Sequence, residues 1–352
     1  MFVSFPKVCI AAALAALGAA GTIPASAQSG SRQVAEIALY QKEDRQQKLV
    51  EGAKREGELT YYQSRTDIGP VVDAFSKKYG IKVKMWRSSG ENVLQRVLTE
   101  ARAGKYEVDI VETSAPQMEA LHREKLLQKV NSPHHADLLP QAVAAHKEWV
   151  GTTLDVYVQA YNTEKIRKED LPKSYHDLLD PKWKGQLGIE AADEHWFAAL
   201  TQELGKEKGE KLFRDIVATN GISVRKGHSL LANLVGSGEV PLALTIYNYS
   251  PEQLKQKGTP IDSFIIPPAI SQFVSMGLQR RAPHPHAALL FYDFMLTEGQ
   301  EMLAKRSYIP TTNKIESPLK NQSLTFVDPA VYLDMSEKWI RNFEEIVNRK
   351  GK

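Results

Sequence analysis

Apolar residues recur along this chain with two alternating periods, and those periods predict its elements. Residues 59–63 read as a strand and 71–79 as a helix stopped by Gly80. Residues 81–86 form a second strand, in which Val83 and Met85 alternate with Lys82 and Lys84. Val93, Leu94, Val97 and Leu98 share one face of a helix over 91–103. A third strand over 108–111 precedes a helix that begins near Pro116. Strands and helices in this order predict a parallel sheet with right-handed crossovers.

The pattern changes at 149–161, a strand-like run long enough to pass from one lobe to another. A second α/β set follows: helix 171–179, turn 180–185, strand 187–190, helices 196–204 and 209–218, strand 222–225, helix 230–235 and strand 240–246. Ser250 and Pro251 read as N-cap and first residue of the next helix. Strands at 264–266 and 273–278, broken by Pro267 and Pro268, return the chain to the first lobe. Helices follow at 287–296, 298–304 and 336–347. The expected architecture is α/β in two lobes, each a mainly parallel sheet flanked by helices, with a ligand cleft between them. Lobe 1 takes 28–148 and the return segment 268–318. Lobe 2 takes 149–267 and a C-terminal helix over 328–348.

Composition adds a compartment. Lys7, the apolar run 8–20 and Ala25-Ser26-Ala27 make a secretory leader, residues 1–27, with cleavage predicted after Ala27. The expected location is the periplasm. The single cysteine, Cys9, lies in that leader, so the mature chain has no disulfide, cysteine-held metal or thiol nucleophile. Net charge is +3, too small a bias to indicate nucleic acid. G-x-S-x-G and H-E-x-x-H are both absent, which argues against the hydrolases that carry them.

Candidate site residues come from the carboxyl ends of the predicted strands, where open α/β sheets bind ligands. Ser64, Arg65 and Thr66 follow the first strand, and Arg65 suits a carboxylate or phosphate. Arg87, Ser88 and Ser89 lead into a helix start, a cap or an anion contact. Glu112, Thr113 and Ser114 end the third strand, and Tyr157 lies in the long one. Asp193, His195 and Trp196 open a helix, with Asp193 either its cap or a contact for an amine or metal. Tyr247, Asn248 and Tyr249 end the strand at 240–246, as metal ligands or as aromatic walls for an organic solute.

Together, L-T-Y-Y-Q-S-R at 59–65, Y-G-I-K-V at 79–83, V-D-I-V-E at 108–112, Y-N-T-E-K-I at 161–166, D-P-K-W-K-G at 180–185, G-S-G-E-V-P-L-A-L at 236–244 and E-G-Q at 298–300 resemble one family. It is the type II periplasmic solute-binding proteins of ABC importers, and within it the ferric-ion-binding branch. The resemblance implies two hinged lobes that close on a solute and deliver it to an inner-membrane ABC permease, as a monomer and without catalysis. It also implies iron ligands: a histidine after the first strand, a glutamate after the third, and adjacent tyrosines. This chain has Thr66, Ser114, and Asn248 with Tyr249 at those positions, and Asp193-Glu194-His195 where an anion would bind. The expected ligand is therefore a small polar or anionic organic solute. Ferric iron is the alternative, as cargo held by Tyr249, Tyr247, Glu112 and Asp193. No other cofactor is expected. A subunit that senses ligand for a membrane receptor, or less readily a periplasmic enzyme, are the readings from other classes.

Overall fold

The computed structural model describes residues 25–347. All of the leader except Ala25–Ala27 lies outside that range. No helix among the described residues is long and apolar enough to cross a membrane.

Two helices, α1 (Ala25–Ala38) and α2 (Arg45–Glu56), precede the first strand. The strands β1 (Glu58–Gln63), β2 (Lys82–Arg87) and β3 (Ile110–Ser114) then pair in parallel in the order β2-β1-β3. Helices α3 (Gly69–Tyr79), α4 (Gly90–Arg102) and α5 (Ala115–Arg123) connect and follow them. Gly80 ends α3 at a φ of 73°, a left-handed conformation that costs glycine nothing. A two-residue strand, β4 (Leu127–Gln128), completes this part.

The long run is β5 (Val150–Asn162), buried over its whole length. Its first half pairs antiparallel with β10 (Ala269–Gln279) and β11 (Ile309–Pro310), and its second half with β8 (Leu242–Tyr247) and β9 (Ile261–Phe264). On one side β10 joins β3. On the other, β8 joins β6 (Leu187–Glu190), which pairs with β7 (Ser223–Arg225). Helices α6 (Glu194–Glu203), α7 (Lys206–Asn220), α8 (His228–Ser237) and α9 (Tyr249–Lys255) belong to the second sheet. Helices α10 (Pro285–Leu296) and α11 (Glu298–Ala304) return to the first. A short β12 (Leu324–Phe326) then pairs with β10 and leads into α12 (Pro329–Val347).

Each half has its own core. In the first, Phe75 and Tyr61 meet Phe291 of α10 edge-on, at centroid distances of 5.0 and 5.1 Å. In the second, Trp196, Phe197 and Phe213 pack together, and α12 adds Trp339, Phe343 and Ile346. The first turns of α12 also reach back to the first half, where Arg123 bonds Asp334 and the Ala330 carbonyl.

Three local expectations are corrected. Of the helix expected over 171–179, only Tyr175–Leu179 is helical, as a 3-10 turn, and a separate 3-10 turn, Lys168–Asp170, precedes the range. Pro172 lacks an N–H and holds Leu171 extended. The strand expected at 264–266 ends at Phe264, while the one expected at 273–278 starts earlier, at Ala269. Helix α9 starts at Tyr249, so Asn248 takes the N-cap position instead of Ser250.

One buried ion pair ties β1, β3 and β5 together. Arg65 Nη2 donates to Glu112 Oε1 at 3.0 Å and to Thr152 and Thr153 Oγ1 at 3.2 and 3.0 Å. Glu112 also accepts from the Tyr61 and Thr152 hydroxyls. Breaking such a pair leaves an uncompensated buried charge. Arg65→Met should therefore lower the unfolding free energy by about 3–5 kcal/mol in urea denaturation. Arg65→Met/Glu112→Leu should recover most of that loss.

Near α10, burial pushes His135 down to about 4, against the pull of Asp293, while its Nε2 contacts the Tyr292 hydroxyl at 2.8 Å. The folded chain then binds fewer protons than the unfolded chain between pH 6.5 and 4, so stability is lost as pH falls through that window. The shift corresponds to at most about 3 kcal/mol. His135→Gln should flatten this part of the stability profile, measured by unfolding across pH 4–7.

Candidate functional site

The floor of the cleft between the halves is set by strand register. Asp155 of β5 stands opposite Gln272 of β10, and two residues on, Tyr157 stands opposite Tyr247 of β8. Side chains two apart on a strand share a face. The face carrying Asp155 and Gln272 therefore looks into the cleft, with Tyr157 of the same face packed into the second core, while Leu154, Val156 and Val158 face the first core. Tyr157 is 1% exposed and lies beneath the floor. Its hydroxyl meets His195 Nε2 at 2.5 Å and accepts from Gln272 Nε2 at 3.1 Å. Gln272 Nε2 also donates to the Tyr247 hydroxyl at 2.8 Å.

Above this floor is a cavity of about 230 Å³. The first half lines it with Ser64 and Arg65 after β1, Ser89, Gly90 and Glu91 at the start of α4, and Thr113, Ser114 and Gln117 where β3 passes into α5. Gly90 sits so close to β3 that a Cβ there would lie 2.8 Å from Thr113 Oγ1. Ser89 caps α4 by accepting from the Asn92 N–H at 3.3 Å. The starts of α4 and α5 reach this wall, and of their first-turn N–H groups, which have no partners within the helices, that of Asn92 is taken by Ser89, while Pro116 has none. The second half supplies Glu190 at the end of β6, Ala192, Asp193 and His195 around the start of α6, His228 at the start of α8, and Tyr247 and Tyr249 on either side of the β8–α9 junction.

The sequence candidates divide accordingly. Ser64, Arg65, Ser89, Thr113, Ser114, Asp193, His195, Tyr247 and Tyr249 reach the cavity wall. The others do not line it. Glu112 points into the first core as the partner of Arg65, because β3 alternates and turns Thr113 to the cleft instead. It is therefore withdrawn as an iron ligand, and Arg65, neutralised by it, is not a free anion clamp. Thr66 and Arg87 are exposed beyond the wall, and Ser88 accepts from Asn92 Nδ2. Trp196 is fully buried against Phe213 and Tyr175, since successive helical residues point about 100° apart. Asn248 is a structural link: its Oδ1 accepts from the Val156 N–H at 3.1 Å and its Nδ2 donates to the Ser307 carbonyl. Asp193 occupies the N-cap position of α6 but makes no side-chain cap bond.

Asp155, Glu190, His228 and Gln272 were not anticipated. The strand-end rule that selected Thr113 applies equally to Glu190, and to His228 just after β7. The alternation through β5 that selected Tyr157 also selects Asp155.

The cleft is electrostatically lopsided. Asp155 Oδ1, both Asp193 carboxyl oxygens, Gln272 Oε1, Thr113 Oγ1 and His228 Nδ1 are buried without hydrogen-bond partners. Burial pushes Asp155 up to about 6 although Arg65 pulls it down. Burial, then the charge of Asp193, raises Glu190. Burial disfavours a charged His228, yet Asp193, Glu190 and Asp155 hold its pKa above the usual value. Burial holds the Tyr247 and Tyr249 phenols well above their ordinary range. The wall thus offers Glu91, Asp155, Glu190 and Asp193 against Arg65, already paired, and two histidines.

Comparisons place this geometry among known proteins. Residues 108–329 match the family described as bacterial extracellular solute-binding protein. The Fe(3+)-binding periplasmic protein of Serratia marcescens is 32% identical over 184 residues, covering 51% of this chain and 53% of that protein, so the match spans about half its length. Iron-bound HitA from Pseudomonas aeruginosa superposes with a TM-score of 0.72 at 25% identity, covering 81% of this chain and 98% of that one. The periplasmic binding protein AfuA from Actinobacillus pleuropneumoniae, with fructose-6-phosphate bound, gives a TM-score of 0.73 at 20% identity, covering 84% and 99%. With the family match spanning most of the described residues and both lobes of the fold, this chain belongs to the bacterial extracellular solute-binding proteins.

Proposed function

We propose that this protein is the periplasmic capture subunit of an ABC importer, exported through a leader cleaved after Ala27. In this reading it acts as a monomer that closes its two lobes over a solute and docks on an inner-membrane permease. It binds and releases, and catalyses nothing. Family membership supports the role, and the hinge strands β5 and β10 suit rigid-body closure.

The charge of the solute is read from one observation: the buried acceptors Asp155, Asp193 and Gln272 are unpaired, and the arginine beside them is already neutralised. Such a cleft favours a positively charged ligand over a lone anion, because unpaired buried acceptors are costly until a cation or donor meets them. A companion anion suits the helix starts on the opposite wall, at Ser89 and Ser114.

The test is thermal unfolding of chelator-stripped protein with transition-metal salts, polyamines, organic acids and sugar phosphates. A cation should stabilise the protein, by about 2.7 kcal/mol at a hundredfold excess over Kd, and Asp193→Asn should abolish the effect. Stabilisation by an organic acid or sugar phosphate with no cation present would overturn this choice of solute.

A further inference from the structure

We propose that Glu190, Asp193 and His228 form a three-point site for a first-row transition-metal ion, carried wholly by the second lobe. This rests on the reading that the cleft takes a cation, and it names the groups that would hold one. The ligand atoms of these three side chains lie within 4.8 Å of one another. They come from three separate elements, the end of β6, the start of α6 and the start of α8, which the sheet brings to one corner of the cavity.

A second, independent observation points to an ion. Asp193 is 0% exposed, and neither of its carboxyl oxygens has a hydrogen-bond donor. His228 Nε2 lies 3.3 Å from Asp193 Oδ1, a charge contact without hydrogen-bond geometry. The only positive group in contact with this buried carboxylate among the described residues is the His228 ring, so its desolvation is incompletely offset until a cation stands beside it. Its neighbours are already oriented. Glu190 is fixed by N–H groups of Ala192 and Gly227, at 2.5 and 2.8 Å, and each of its oxygens keeps a lone pair for a metal. The His228 ring stands against Tyr247, with centroids 4.0 Å apart. One imidazole with two carboxylates suits manganese, iron, cobalt or zinc better than calcium, which takes oxygen ligands, or copper(I), which prefers sulfur. Asp155 and Tyr247 line the same cavity.

The set differs from the one the family resemblance implies, since Thr66, Ser114 and Asn248 stand at three of those positions. It also differs from the other carboxylate–histidine cluster among the described residues, Glu119, His122 and His146. There His122 already bonds Glu148 at 2.8 Å and His146 bonds Glu119 at 3.3 Å, in a partly buried cluster. Because all three proposed ligands sit on one lobe, the site exists with the lobes open or closed.

The experiment is titration of the chelator-stripped protein with Co²⁺ and Zn²⁺, followed by calorimetry and by the visible absorption of bound Co²⁺. One ion should bind per chain. Asp193→Asn and His228→Gln should each weaken binding at least tenfold. His228→Gln should also shift the Co²⁺ band, which loss of a remote contact would not do. His122→Gln should leave the titration unchanged. If Asp193→Asn does not fold, His228→Gln and its band shift carry the test. Metal binding unaffected by either cleft variant, or lost in His122→Gln, would overturn the site and leave the cationic solute standing. So would binding of a polyamine, lost in Asp193→Asn, with no metal bound. Failure of every cation to bind would overturn both.

Discussion

The pairing of β5 with β10 is the constraint on which the remaining structure depends. β5 pairs within both halves and β10 ties it to β3 of the first, through an antiparallel ladder from Ser271 with Val156 to Met276 with Val150 that carries one bulge at Val274/Ser275. A slip of one residue would turn every side chain to the opposite face. Asp155 would enter a core, and Val156 would enter the cleft. The floor of the binding site and the partition of the two cores are therefore one fact of register. The cleft walls can move with their lobes, but the floor cannot change without dismantling both.

Charge is distributed around that floor with a consistent bias. The first lobe uses its one arginine at the cleft internally, against Glu112. What it leaves toward the cavity is hydroxyls, helix starts, the Gln117 amide and one carboxylate, Glu91. The second lobe leaves carboxylates and a histidine. An empty cleft of this kind stores unfavourable desolvation that a suitable solute relieves, so binding strength and the marginal stability of the free protein are linked.

Much of the fold was legible because helix and strand periods are read from local apolar spacing, and burial here follows that spacing closely. Boundaries failed where one residue changed the geometry: Pro172 broke a helix, and Asn248 gave its side chain to β5 and let α9 begin early. The site was less legible for a different reason. A strand-end rule selects a stretch, but direction within the stretch alternates. It placed Thr113 and Glu112 together although they face opposite sides, and His195 and Trp196 together although one reaches the cleft and the other the core. His228 and Glu190 obey the same rule, yet they stand at the ends of strands of only three and four residues, which a local apolar pattern marks weakly. Their significance is a three-dimensional convergence of β6, α6 and α8, which no local window contains.

The late arrival of β10 and β11 in the first lobe's sheet also fixes an order of assembly. The first lobe's sheet receives β10 only after β6 to β9 of the second have been synthesised, and β11 later still, while the second core waits for α12 at the end of the described residues. Neither lobe is a contiguous stretch of chain, so neither can finish folding as it emerges from the ribosome. Long-range pairings of this kind slow folding. For a chain headed across a membrane, the same topology that makes a hinge keeps the polypeptide incomplete, and hence threadable, until synthesis is nearly done.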